Sequence, residues 1–132
     1  MAYAHSLAEL YKTKLYLMHV IENPTSRTYG RVEGDYLAME VNAREKAQTW
    51  LRESATKGLG DFPNHEILLR EGEILPEIVK VEDERAIGTI VVGTHGRAGL
   101  THMLLGSVAE KVIRSVRCPV YVVRHPDRAT RR

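Results

Sequence analysis

The chain has a single cysteine, Cys118, one tryptophan and one phenylalanine among its 132 residues. A lone cysteine excludes an internal disulfide scaffold, and a free thiol suits a reducing compartment. No apolar stretch approaches the roughly 18 to 20 residues that a membrane-spanning helix needs, so no membrane partner is expected. The opening residues, Met1-Ala2-Tyr3-Ala4-His5, have neither the basic nor the apolar segment of a secretory leader, and a cytoplasmic location is expected. Excess charge is also scarce. The formal net charge is +2, and Arg128, Arg131 and Arg132 set against Asp127 account for all of it. Residues 1–124 are therefore neutral overall and exert no net pull on nucleic acid. The basic end, 125–132, reads as a solvated tail.

Recognisable catalytic sets are missing as well. The six histidines are scattered, and none has a carboxylate or cysteine partner at a metal-ligand spacing, so no metal site is assigned. His95 and His102 are separated by residues that read as loop. No nucleophile-elbow motif occurs, and no catalytic residue is assigned. Cys118, just before Pro119, reads as a small buried apolar residue. Trp50 and Tyr36 read as packing residues of a long helix, and His19 as a strand-end residue.

What is present is an alternation of elements. Ala2 to Leu10 reads as a helix, and Lys14 to Ile21 as a nearly continuous apolar strand of the kind buried on both faces of a parallel sheet. Pro24, Gly30 and Gly34 mark a loop. A long helix follows from Asp35, its expected N-cap, with Leu37, Val41, Leu51 and Ala55 on one stripe and Gly58 and Gly60 as its stop. Glu66 to Arg70 reads as a strand. Ile74, Ile78 and Val81 mark a helix with Pro76 in its first turn. Thr89 to Val92 is β-branched and halted by Gly93. Leu105, Val108, Val112 and Val116 mark a fourth helix, and Pro119 to Val123 the last strand. Helix and strand alternate throughout, which implies an α/β fold with a parallel sheet covered by helices.

One loop has an unusual makeup: Gly93-Thr94-His95-Gly96-Arg97-Ala98-Gly99, leading to Gly106-Ser107 at the head of the fourth helix. Ligands of open parallel sheets gather where strand ends lead into helix N-termini. Glycines let backbone approach a phosphate, the helix end adds partial positive charge, and Ser107 and Arg97 add donors. The loop is neither of two familiar nucleotide motifs. It lacks the lysine of a P-loop and the G-x-G opening of a dinucleotide fingerprint.

Gly93, Gly96 and Gly106-Ser107 are spaced as G-2x-G-9x-G-(S/T), and the chain resembles the universal stress protein family at this signature. The likeness extends through Thr89-Ile90-Val91-Val92-Gly93, Leu105-Gly106-Ser107-Val108-Ala109-Glu110, Arg117-Cys118-Pro119-Val120 and Leu17-Met18-His19-Val20. The resemblance implies a three-layer open parallel sheet in the order 3-2-1-4-5 and a homodimer paired through the last strand, Val120 to Arg124. It implies ATP as ligand, with or without magnesium, in a stress-response role. Carried over by position, Gly93, Thr94, His95, Gly96, Arg97, Gly106, Ser107 and Val108 would cradle the phosphates, and Val20 would lie near the adenine.

The chain departs from the family pattern at its start, where the family's first strand and the acidic residue after it have no counterpart. The domain expected here is therefore residues 1–124, lacking the central strand of its sheet. That position would be filled by a longer native chain, by a strand of another chain, or by closure of the strands at 14–21 and 89–93. Two other functions are consistent with the sequence: a slow ATPase or nucleotidyl-transfer enzyme, and a nucleotide-free dimeric interaction module.

Overall fold

Among the described residues every strand is preceded by a helix, as the alternation of patterns requires. The computed structural model describes residues 1–22, 33–94 and 105–124. Its elements are α1 (Ala2–Leu10), β1 (Leu15–Ile21), α2 (Glu33–Leu59), β2 (His65–Glu71), α3 (Ile74–Glu84), β3 (Ile90–Gly93), α4 (Ser107–Ser115) and β4 (Val120–Val123). They belong to two units, Met1–Glu73 and Ile74–Arg132.

In the first unit β1 and β2 pair in parallel, from Leu15 opposite His65 to Ile21 opposite Glu71. The core gathers Ala8, Leu15, Ala55 and Leu59, with Ala4, Leu17, Phe62 and Ile67 packed around it. The buried stripe of α2 is Ala47, Leu51, Ala55 and Leu59, and Leu51 is wholly enclosed. Val41, expected on this stripe, is 55% exposed. The reason is angular: ten residues at 100° each place Val41 about 80° around the helix from Leu51, whereas steps of four drift only about 40°. The helix also begins earlier than expected, at Glu33, so Asp35 lies within the first turn and is not the cap. At the other end Gly58 is helical and Gly60 alone makes the stop, in the left-handed region at φ +55°. Its N–H donates to the Thr56 carbonyl at 3.1 Å.

In the second unit β3 and β4 pair in parallel, from Ile90 opposite Val120 to Gly93 opposite Val123. Helices α3 and α4 touch, and Val81, Ala109 and Val112 are the buried apolar residues they contribute. The stripe expected for α4 is corrected in detail. Leu105 precedes the helix, Val116 is an extended residue after it, and Val108 is 37% exposed.

The four strands thus pair as two parallel ladders, β2 with β1 and β3 with β4. These are the outer pairs, 3-2 and 4-5, of the expected order.

Candidate phosphate-binding turn

β3 delivers the chain to the turn. One residue beyond the ladder, the Thr94 N–H donates to the Val123 carbonyl at 2.9 Å, and Thr94 is 5% exposed. The Thr94 carbonyl accepts the Gly106 N–H at 2.7 Å, which ties the end of β3 to the head of α4. The Gly106 carbonyl then takes the Glu110 N–H at 3.0 Å and opens the helix.

Gly106 is the N-cap, in extended backbone at φ −73° and ψ 151°, and it offers no side chain to cap the helix. An α-helix leaves the N–H groups of its first turn without intrahelical acceptors. Here those are the N–H groups of Ser107, Val108 and Ala109. Ser107 and Val108 are exposed. Among the described residues no side chain caps this helix end, and the Ser107 hydroxyl belongs to its first turn, a combination suited to anions. The dihedral angles of Gly106 are open to any residue. A glycine is therefore not required there by backbone conformation.

Five of the expected site residues, Gly93, Thr94, Gly106, Ser107 and Val108, are gathered in this turn. His95, Gly96 and Arg97 lie outside the described residues. Val20 belongs to the first unit, half-buried near the end of β1 and opposite Arg70 in the ladder.

One polar residue went unseen in the sequence. Glu82, on α3, is 6% exposed, and its Oε1 accepts the N–H groups of Arg117 at 2.7 Å and Cys118 at 2.8 Å. The neighbouring Asp83 takes the Arg117 guanidinium through both oxygens, at 3.0 and 3.2 Å. Burial pushes the Glu82 carboxyl up, but the N–H groups of Cys118 and Arg117 outweigh it and hold the group below its ordinary value. Burial also raises the Cys118 thiol, and the Glu82 carboxylate beside it raises it further. Cys118 is half-buried, less enclosed than expected, but its thiol is held protonated and poorly nucleophilic. The available signal was the adjacent acid pair Glu82-Asp83 on an apolar helix, with Arg117-Cys118 before a proline that has no N–H to offer.

Parallel strands alternating with helices, and a strand that leads through a turn into a helix N-terminus, define an α/β protein. The sequence model of the Universal stress protein family matches residues 1–124, spanning both units. Universal stress protein MJ0531 of Methanocaldococcus jannaschii is 32% identical over 129 residues, 96% of this chain and 74% of the relative. The solved structure of MJ0577, from the same organism, superposes with a TM-score of 0.74 at 29% identity, covering 93% of this chain and 86% of that one. A universal stress protein solved in complex with cAMP shares the fold, with a TM-score of 0.55 at 21% identity over 93% of this chain and 83% of that one. The chain belongs to the universal stress protein family.

Proposed function

We propose that the chain binds ATP by its phosphates at the β3–α4 turn and acts as a nucleotide-responsive regulatory homodimer in the cytoplasm. The observation that carries the reading is the Thr94–Gly106 hydrogen bond, which sets the uncapped N-terminus of α4 at the end of β3. A phosphate there would take the first-turn N–H groups of Ser107 and Val108 and the Ser107 hydroxyl. The helix end would contribute about half a positive charge. Gly93, Thr94, His95, Gly96 and Arg97 complete the proposed cradle, with Arg97 as a charge-assisted donor. Val20 is proposed to lie near the adenine. Magnesium is proposed only as an ion carried by the triphosphate. That a protein of the same fold was solved in complex with cAMP supports a phosphate-bearing adenine ligand.

Residues 1–124 are proposed to act as one domain, with 125–132 as its basic tail. The dimer is proposed to form along β4. That strand pairs with β3 on one side, and Tyr121 and Val122 are 46% and 38% exposed. Such an edge is a template for pairing with a second copy. Among the described residues no helix is long and apolar enough to cross a membrane. The test is calorimetric titration with ATP. Saturable heat at millimolar nucleotide or below is expected, and its absence contradicts the reading.

A further inference from the structure

The buried carboxylate of Glu82 holds the end of the β3/β4 ladder opposite the phosphate turn. Its Oε1 fixes the N–H groups of Arg117 and Cys118. Pro119 comes next and has no N–H, so these are the last donors before β4 begins. The Pro119 carbonyl then accepts the Ile90 N–H at 3.0 Å, and the ladder runs from Ile90 opposite Val120 to Gly93 opposite Val123. At its far end the Val123 carbonyl takes the Thr94 N–H, and the Thr94 carbonyl takes the Gly106 N–H. One continuous series of hydrogen bonds therefore joins Glu82 to the N-cap of α4.

β3 and β4 have four residues each, so few ladder bonds define their register. A slip by one residue would exchange the faces of β4 and remove the Val123 carbonyl from Thr94. An anchor at the strand's start opposes that slip. Glu82 is suited to it because both N–H groups meet one ionised oxygen, and hydrogen bonds to charged groups exceed neutral ones in strength. Asp83 adds a second hold on the same segment through the Arg117 guanidinium.

The geometry points to Glu82 as a positioning residue for the phosphate turn: it anchors the start of β4, sets the β3/β4 register and thereby places Gly106 at the head of α4. The functional half of this inference rests on the reading of that turn as the nucleotide site; the structural half does not.

Residue-resolved amide hydrogen exchange on the nucleotide-free protein, with Glu82→Ala and Glu82→Gln, tests it. In Glu82→Ala the Arg117, Cys118, Thr94 and Gly106 amides exchange faster, by about tenfold to a hundredfold. The Arg85 amide, bonded to the Val81 carbonyl one residue past the end of α3, keeps its wild-type rate. Glu82→Gln keeps a carbonyl acceptor for both donors, so it shows a smaller rise at the same four amides, and it carries the test if the alanine variant does not fold. ATP titrations of the same proteins weaken in the same order. Faster exchange confined to Arg117 and Cys118, with Thr94 and Gly106 unchanged, overturns the inference. So does equal acceleration along α3, which would mark a general loss of stability. Failure of ATP to bind the wild-type protein overturns the nucleotide reading alone, since the four amides still decide how far Glu82 reaches.

Discussion

Gly106 has an ordinary extended backbone, φ −73°, yet it stands at the N-cap, where a serine or aspartate would stabilise the helix. Leaving the cap without a side chain costs apo stability and keeps the first-turn donors open to a ligand. Gly106→Asp should therefore move two properties in opposite directions. The new carboxylate caps α4 and raises the denaturation midpoint of the nucleotide-free protein, by an amount equivalent to about 0.5–1 kcal/mol. It also occupies the donors and repels phosphate, so ATP affinity falls at least about tenfold. A variant that loses stability and affinity together would mean that the glycine serves the fold.

Glu82 provides a second residue-scale prediction, in pH. Its folded-state value is depressed, so its ionised form contributes stability that is fully present above the unfolded carboxyl's value, about 4.3, and is lost as pH falls through the lower folded value. Urea midpoints of wild type and Glu82→Gln should differ most at neutral pH and converge as pH drops below that window. A gap that stays constant into acid would show that the charge is irrelevant. This residue was not legible in the sequence because the N–H groups that donate to its carboxylate lie 35 and 36 positions away. Hydrophobic periodicity reports which face a residue occupies, not which distant N–H groups meet it. Gly106 and Ser107, by contrast, announced themselves through local spacing.

At the scale of elements, strand and helix identities were readable because the apolar runs and the punctuating glycines and prolines are local signals. Helix faces and ends were less so. The burial of α2 follows steps of four from Ala47, which a stripe drawn through Val41 misses. The end of α3 shows a similar competition between local preference and tertiary demand. Ala86 sits at φ +48°, in the left-handed region, while the Ile87 N–H closes onto the Glu82 carbonyl at 2.9 Å. An alanine there pays a steric penalty of about 1–2 kcal/mol that glycine avoids. Ala86→Gly should therefore raise the denaturation midpoint by the equivalent of about 1 kcal/mol, since glycine's greater unfolded-state freedom offsets part of the gain. A fall in the midpoint would contradict the strain argument.

For the whole molecule, the alternation of elements and the family signature together made the α/β class readable, while the pairs 3-2 and 4-5 that the two ladders form followed from the family resemblance and not from apolar patterning. Strand partners are set by tertiary contacts, which patterns of apolar residues along the chain do not encode. Among the described residues β4 pairs with β3 alone, and this leads to a prediction about assembly. Replacing Tyr121 and Val122 by lysine places like charges along both copies of that edge and opposes their pairing. Sedimentation should show the wild-type protein at twice its chain mass and the double variant at the chain mass. A wild-type monomer, or a double variant that remains dimeric, rules out this edge as the interface.

The central claim is that a nucleotide's phosphates rest on the head of α4, and it is tested most directly by following backbone amide resonances while ATP is added. Saturable shifts should be largest at Gly106, Ser107 and Val108 and share one dissociation constant. Saturable binding that leaves those three amides unmoved would contradict the claim.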